Sequence, residues 1–561
     1  VSQQLFFEVF ASFEPYYDFK KWVHYGDNPI ADHNPPRKIG IEVRQVAKPE
    51  FSDIQTQLVE QLGTYDSYLV AALQTRMAAK AVYTRDEFVS TFVTICMVPY
   101  VDWALRDAIR RGYQTLYFIS RDGHPLKRIA DAIIEARGLN VKTKYIYASR
   151  RTWRIPSFIH EVDREFWEPY GSFGNITSKD KLLKAMDLTD RQFRKFFPAV
   201  VLDGVNFTDK KVLNGLIDIF KKSESYNQYL MKKGAEERVL VSRYLEQEID
   251  RTEKFAFVEY WGRGYTQDCF VRLWHDIVGE EVDVPYYYSR TVLPTIGHSV
   301  RYNFTTNNTA QFFMEGIFAN MPYKSIEKYQ VVDGRVEPII VPVPHDTSLF
   351  DSMQRLLPEF AYQYAKLPLH TPEDTDRMLY EFALNYYRNN LENEEFAEQI
   401  GGLVDSISLY GKKREFAPPF TMKMLDSFAS KEKTRGMGSV TTSITMSVTR
   451  ASEEVKRRYF EMYQIMPGDG YASGRLLSEG ELEENRKYKE KYEEIKERAE
   501  RFAELYDEAS DVYGIENKIV FVTNAKNFTS GYLGKMAEMM KAHKEFSVVL
   551  LRMFRLYIRI L

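Results

Sequence analysis

The sequence predicts an α/β protein built on a parallel, Rossmann-like sheet with large helical insertions. Four apolar runs of strand length alternate with helical patterns, at 115–119, 143–148, 254–260 and 284–289. Parallel strands need long crossover connections, usually helices, so this alternation favours a parallel sheet. The first three runs also lead into polar loops that contain arginine, which is typical of the ligand-binding edge of such sheets.

Composition places the chain among globular proteins of several domains. Its 561 residues suggest roughly two to four domains, and 44% hydrophobic with 28% charged residues is typical of soluble proteins. The net charge of −3 gives no indication of a nucleic-acid partner. Cys96 and Cys269 are too few for a disulfide framework, and no apolar run of about 18 residues predicts a transmembrane helix. We therefore expect a cytoplasmic protein.

Five regions are expected along the chain. They are an irregular N-terminal segment, an α/β domain, a helical region, a charged spacer helix and the start of a second α/β domain, at 1–52, 53–345, 346–477, 478–513 and 514–561. The α/β domain carries a helical insert at 160–250. In the spacer, glutamate and lysine recur four residues apart, which supports a solvated helix.

The α/β domain opens with helical patterns from Asp53 to Arg111, with Gly112 as the expected C-cap. Strand 115–119, helix 126–136 and strand 143–148 then form a β-α-β unit. Farther on, 309–320 looks helical, and VVDGRVEP predicts a hairpin turn.

The last region reads as strand KIVFVTN, a helix at 533–543 and strand FSVVLL. One strand–helix–strand unit cannot bury both of its faces, so we expect a domain that continues beyond Leu561. Arg552, Arg555 and Arg559 would share one face of a terminal helix, a pattern typical of a peripheral membrane contact.

The loop Ser-Arg-Asp-Gly-His after the first strand is the best-marked candidate site. Ser120 and Asp122 follow the strand, and the N–H groups of the next helix attract anions such as phosphate. Arg121 can pair with phosphate, and Gly123 allows a tight turn. His124 could act as a general acid near neutral pH. The alternative is an ordinary capping loop with Asp122 as the N-cap.

The next two strands end in similar loops. After the second strand come Ser149, Arg150 and Arg151. After the third come Glu259, Gly262, Arg263, Gly264 and Thr266. Hydroxyl and guanidinium groups at strand ends suit a phosphate or sugar-phosphate. We expect the three loops to form one phosphate-type pocket, with Asp122 and Glu259 as candidate Mg²⁺ ligands.

Together, LYFISRDGHPLKRIAD, YIYASRRTWRIP and FVEYWGRGYTQ resemble the haloacid-dehalogenase-like region of bacterial surface-polysaccharide proteins. The resemblance covers roughly 60–345. That superfamily uses Asp-x-Asp after its first strand, and here Ser120 stands where the nucleophile belongs while Asp122 matches the second aspartate. By the same resemblance, Ser149 matches the phosphate-binding hydroxyl and Glu259 the acidic Mg²⁺ ligand. The missing nucleophile argues against a phosphoaspartate mechanism.

The segment NKIVFVTNAKNFTSGYLGKMAEMM is similar to the opening of a CDP-glycerol glycerophosphotransferase-like GT-B domain. The resemblance implies that the loop 523–531 borders an acceptor cleft, and that a CDP-linked polyol donor and a polymer acceptor are partners. No catalytic residue of that family is assigned within this chain.

These resemblances make a component of bacterial capsule or teichoic-acid-type polymer biosynthesis the leading hypothesis, at the inner face of the cell membrane. One alternative is a Mg²⁺-dependent phosphohydrolase of a sugar- or polyol-phosphate. A second is a non-catalytic scaffold for the transferase.

Overall fold

The computed structural model describes most of the chain. The described residues are 3–18, 20–26, 28–45, 50–168, 173, 176–291, 294–307, 312–319, 326–340, 348–403, 415–435, 444–464, 475–493, 519–524, 548–551 and 555–560. They divide between two compact units, one of residues 1–308 and 322–384 and the other of residues 309–321 and 385–561.

A five-stranded sheet forms the centre of the first unit. Its strands are β1 (Thr115–Ile119), β2 (Lys142–Ile146), β3 (Phe255–Val258), β4 (Val284–Tyr288) and β5 (Ser299–Asn303). They lie in the order β2-β1-β3-β4-β5, and every neighbouring pair is parallel. The expected parallel α/β sheet is therefore confirmed at this level.

The strand β5 is a departure from the sequence prediction, which did not assign one at 299–303. Its residues alternate between buried and half-exposed, ending in an exposed asparagine, and the run SVRYN holds only two apolar side chains. An edge strand buries one face only, so it lacks the continuous apolar run that marks β1 and β4, whose residues are all buried.

Helices cover the sheet and position its carboxyl edge. The principal ones are α1 (Asp86–Arg110), α2 (Gly123–Arg137), α3 (Arg150–Arg154), α4 (Glu224–Glu248), α5 (Tyr265–Val278) and α6 (Ser348–Ala365). Helix α2 joins β1 to β2, and α5 joins β3 to β4, as the crossovers of a parallel sheet require.

Helix α1 is long and apolar enough to cross a membrane, but its most apolar window is 94% buried inside the molecule. A largely apolar helix that is enclosed by its own protein packs as a core helix. It contains a π-helical turn at Val89–Val93 and an internal proline, Pro99.

The first compact unit does not end at the expected boundary of 345. Helix α6 packs along α2, and the Arg128 guanidinium donates to the backbone carbonyl of Gln354 at 3.1 Å. Arg137 in α2 likewise donates to the carbonyl of Ala365 at 3.0 Å. The apolar face of α2 that turns away from the sheet needs this cover, so α6 belongs to the α/β unit.

The insert expected at 160–250 is helical and has a core of its own. Helices Lys179–Ala185, Asp190–Phe196 and Lys210–Lys221 precede α4. Aromatic side chains dominate the core; its rings include Phe158, Phe166, Trp167, Phe193, Phe197 and Tyr226.

The N-terminal segment 1–52 is not irregular as expected. It holds a helix, Gln3–Phe13, and two short parallel strands, Val23–Gly26 and Glu42–Gln45. The hairpin predicted from VVDGRVEP is confirmed between strands Ile326–Val332 and Arg335–Ile340, which are antiparallel. Its turn residues, Asp333 and Gly334, both have positive φ angles of 49° and 82°, as a type I′ turn demands.

In the second unit, the described part of the expected helical region holds helices Glu394–Gly401, Met422–Arg435, Ile444–Thr449 and Glu453–Met462, and a short antiparallel pair of strands, Tyr463–Gln464 and Arg475–Leu476. The charged spacer is helical from 479 to 493, and its remainder, 494–513, lies outside the described residues.

The C-terminal region contains the two expected strands, but a third strand lies where a membrane-surface helix was expected. Strand Arg555–Ile560 lies between strands Ile519–Asn524 and Val548–Leu551 and pairs antiparallel with both. The segment that carries Arg555 and Arg559 is thus a strand, which removes the helical face on which the membrane contact was based. Arg552, the expected helix 533–543 and most of the loop 523–531 lie outside the described residues.

Candidate functional site

The three polar loops identified in the sequence lie at one edge of the sheet. They follow β2, β1 and β3, which are adjacent and parallel, so their carboxyl ends share an edge. The chain leaves β1 toward β2 on one side and leaves β3 toward β4 on the other. The strand order therefore reverses between β1 and β3, and ligands of open α/β sheets bind at such a switch point.

Ser120 ties the first loop to the second. Its hydroxyl donates to the carbonyl of Ala148 at 2.6 Å and accepts from the N–H of Ala148 at 2.9 Å. The backbone N–H of Ser120 donates to Ile146 at 2.9 Å. Each of these contacts joins the end of β1 to the end of β2. The hydroxyl expected at a nucleophile position thus acts as a bridge between strands.

Arg121 and Asp122 form an ion pair with each other. The Arg121 Nε donates to Asp122 Oδ1 at 2.9 Å, and only 15% and 16% of the two side chains are exposed. Asp122 stands at the N-cap position of α2, but its side chain makes no capping hydrogen bond. The carboxylate is therefore directed to the arginine and not to the helix.

Gly123 is required by a close approach and not by a tight turn. It begins α2, and a Cβ at this position would lie 2.6 Å from the backbone carbonyl carbon of Phe118 in β1. No side chain fits at that distance. The absent side chain lets the first turn of α2 rest directly on the strand, which fixes where the helix N-terminus points.

His124 does not meet the expectation of an acid near neutral pH. Burial, with the nearby Arg128 and Lys127 charges, lowers the pKa of His124 to about 4. The imidazole is consequently neutral at pH 7. Its ring meets Tyr145 of β2 edge to face, with centroids 6.1 Å apart.

Ser149 caps α3 and does not point freely into a pocket. Its hydroxyl accepts from the N–H of Thr152 at 3.1 Å, and its own N–H donates to the Thr152 hydroxyl at 3.0 Å. It also donates to the carbonyl of Ile326 at 3.2 Å. Of the two arginines that follow, Arg150 is exposed and Arg151 lies 3.7 Å from Glu327.

The backbone of Glu259 is held between β3 and β4. Its N–H donates to Tyr287 at 3.0 Å, and its carbonyl oxygen lies 2.6 Å from the hydroxyl of Tyr100 in α1. The side chain is half-buried. Gly262 belongs to a two-residue strand, Trp261–Gly262, that pairs with Arg290–Thr291. Arg263 is exposed, and Thr266 is half-buried in the first turn of α5.

Gly264 and Arg301 fix the third loop. Gly264 has a φ of +83°, and a Cβ there would lie 2.4 Å from the guanidinium carbon of Arg301. Arg301 reaches the loop from β5, is buried, and donates to Gln267, Pro294, Gly264 and Asp268. Sequence reasoning missed Arg301 because β5 itself was not predicted.

The residues present do not form a recognisable Mg²⁺ site. Among the described residues, no group of three or more His, Cys, Asp or Glu side chains is arranged to hold a metal. Asp122 already pairs with Arg121, and the other position of the Asp-x-Asp pattern is Ser120. The donor set that a hard divalent cation needs is therefore incomplete.

Another arginine close to the second loop was also missed. Arg154 lies one helical turn after Arg150 in α3, with its Nε enclosed and without a hydrogen-bond partner. One indication in the sequence that Arg154 is partly buried is its place in the largely apolar run TWRIPSF. A buried cation is as a rule paired with an anion or hydrogen-bonded.

A cavity of about 570 Å³ lies at the opposite, amino edge of the sheet, lined by the starts of β3, β4 and β5. Parallel sheets do not bind ligands at that edge as a rule. The carboxyl edge is the better candidate on chemical grounds.

The strand order and the helices around it make this a mixed α/β protein with a central parallel sheet. No family model matches the chain, and no curated protein is significantly similar to it.

Proposed function

We propose that the first unit binds a phosphorylated polyol or sugar at the switch point between β1 and β3, as a haloacid-dehalogenase-like domain without hydrolytic chemistry. The protein would serve in the biosynthesis of a bacterial capsule or teichoic-acid-type polymer, as part of a polyol-phosphate or glycosyl transferase. The single observation that carries the binding proposal is the adjacency of β2, β1 and β3, which brings the three polar loops to one edge.

The charges and donors at this edge favour a phosphoryl ligand. Arg150 and Arg263 are exposed at the ends of the second and third loops. At the start of α2, Asp122 makes no side-chain capping bond, but the N–H of His124 donates to the Arg121 carbonyl at 3.2 Å and Pro125 has no N–H. The attraction for phosphate therefore rests on the guanidinium groups, which bind phosphate through charged hydrogen bonds.

The same edge lacks what hydrolysis would need. A phosphoaspartyl mechanism requires a carboxylate at the position of Ser120, and the hydroxyl there is engaged with Ala148. His124 is neutral at pH 7 and cannot donate as an imidazolium. These contacts favour binding over phosphate release. The polymer role depends on the sequence resemblance and on the order of the regions.

The test is titration calorimetry of the whole chain with glycerol 3-phosphate and CDP-glycerol, with and without Mg²⁺, beside an assay for released phosphate. We expect binding of at least one of the two without turnover. Glycerol and cytidine are the matched controls that lack phosphate, and they should not bind.

Two outcomes would contradict the proposal. Mg²⁺-dependent release of phosphate that Asp122→Asn abolishes would make the protein a phosphohydrolase. Absence of binding by both phosphorylated compounds would remove the ligand class altogether.

A further inference from the structure

The Arg154 side chain is half-buried, and none of the described residues accepts a hydrogen bond from its guanidinium. It belongs to α3, directly after the second polar loop, and its Nε is buried with no partner. Among the residues that the structure describes, no carboxylate lies within ion-pair distance of it and no oxygen accepts from it. The guanidinium carbon lies 5.3 Å from the centroid of the Phe166 ring, in a cation–π contact.

The two titratable side chains that act most strongly on Arg154 are neutral at pH 7. They are Tyr265 and Cys269, on the first two turns of α5. Burial raises the pKa of Cys269 to about 11, and burial also raises the pKa of Tyr265 above its ordinary value. Neither side chain supplies a negative charge at neutral pH.

Nearby carboxylates are already engaged elsewhere. Asp163 accepts from the Arg272 guanidinium at 2.5 Å and from the N–H of Phe166 at 2.8 Å. Asp187 pairs with Lys233. The residues around Phe173 that lie outside the described part, 169–172 and 174–175, include no acidic side chain.

A guanidinium keeps its charge at any pH at which the protein is folded, so the cost of enclosing it persists. Burial lowers the pKa of Arg154 from its ordinary value, and the like charge of Arg150, four residues earlier on the same helix face, acts in the same direction. A cation that is partly removed from water without a partner is unfavourable unless an anion joins it. A cation–π contact offsets only part of that cost.

We propose that Arg154 binds a phosphoryl group of the ligand, beneath the helical insert and beside the first turns of α5, with Arg150 one turn closer to the sheet edge. This inference rests on the proposed function and deepens it, because it extends the phosphate site from the exposed loop arginines to a half-buried one. Bidentate recognition of phosphate oxygens is the task for which a planar guanidinium is best suited.

The variant that tests the inference is Arg154→Gln, with Arg164→Gln as the matched control. Arg164 is on the neighbouring 3-10 turn, with 82% of its side chain exposed and a weak 4.0 Å pair with Glu168. Inorganic phosphate, glycerol 3-phosphate and CDP-glycerol are titrated at constant ionic strength by calorimetry. We expect Arg154→Gln to raise the phosphate Kd by about tenfold to a hundredfold, as loss of a charged hydrogen bond does. The control should bind as the wild type does.

A second variant keeps the test decisive if Arg154→Gln folds poorly. Arg154→Met replaces the guanidinium with an apolar side chain of similar length. It should melt at least as high as the wild type in phosphate-free buffer, and phosphate should no longer raise its Tm.

The outcomes separate this inference from the proposed function. Equal binding of CDP-glycerol by wild type and Arg154→Gln would overturn the role of Arg154 and leave the function standing. Arg154-dependent binding of inorganic phosphate, without binding of either polyol compound, would support the anion site and contradict the function. No phosphate effect on the wild type, with a more stable Arg154→Met, would show an uncompensated structural charge and overturn the inference.

Discussion

At the residue scale, several residues that the sequence singled out as candidate ligand-binding groups instead hold the loops of the candidate site in place. Ser120 bridges two strand ends, Ser149 caps α3, and Gly123 and Gly264 allow close packing. A sequence shows that a residue is polar or small, but it does not show which neighbour occupies its hydrogen bonds. Because these hydroxyls are engaged, the arginines carry the proposed binding function.

Ser120→Ala tests the bridging role. The substitution leaves the carbonyl and N–H of Ala148 without their partner, which should lower the free energy of unfolding by about 1–3 kcal/mol. Binding of glycerol 3-phosphate should change little. Urea denaturation followed by circular dichroism measures the first effect and calorimetry the second. A stable variant that has lost ligand binding would show that the hydroxyl contacts the ligand.

Gly264→Ala tests the close approach of Arg301. The new methyl would need a φ of +83° and would meet the guanidinium at 2.4 Å. We expect a loss of about 2–4 kcal/mol, from backbone strain together with displacement of a buried arginine. Gly279→Ala is the matched control, because its φ is +78° with nothing within 4 Å, and it should cost only about 1 kcal/mol. Equal losses in thermal melts of the two variants would contradict the packing argument.

At the scale of elements, helices are joined to one another by buried carboxylates. Asp66, near the start of helix Tyr65–Ala78, accepts from the N–H of His370 at 2.9 Å and of Thr371 at 3.1 Å, and from the Thr375 hydroxyl at 2.6 Å. A side chain distant in sequence thereby holds the two residues that precede the helix beginning at Pro372. The sequence predicts the two helices, but their junction exists only in the folded chain.

The Asp66 junction predicts a pH dependence. Burial acts to raise the pKa of Asp66, but the donors from His370, Thr375 and Thr371 outweigh it and hold the pKa below the ordinary value of 3.8. A carboxyl whose pKa is depressed on folding contributes stability above its unfolded pKa, and this is lost as the pH falls through the folded value. Asp66→Asn should therefore be less stable than wild type at pH 6, with a difference that narrows below about pH 4. A constant difference between pH 6 and pH 3 in thermal melts would refute this linkage. Asp180→Asn, at an exposed position, is the control.

At the scale of the whole molecule, the chain forms two compact units with separate cores. Leu105, fully buried in α1, belongs to the first core, and Ile400, fully buried in helix Glu394–Gly401, belongs to the second. Large proteins commonly unfold unit by unit, so a thermal scan should resolve more than one transition.

Substitutions in the two cores should show which unit gives rise to each transition. Leu105→Ala and Ile400→Ala should each cost about 2–5 kcal/mol in the unit that contains them, lowering one transition each in differential scanning calorimetry. If both variants lower the same single transition by similar amounts, the molecule unfolds as one cooperative body.

The sequence by itself determined the parallel α/β sheet, four of its strands, the helical insert, the hairpin at VVDGRVEP and the three polar loops at strand ends. These features follow from local periodicity and from turn residues, which neighbouring side chains dictate. Only the tertiary structure decided that β5 forms the edge of the sheet, that Ser120 and Ser149 are engaged, and that the Nε of Arg154 is enclosed without a partner. The physical reason is that burial and hydrogen-bond partners arise from elements distant in sequence, such as the contact between α3 and α5, and no local pattern records them.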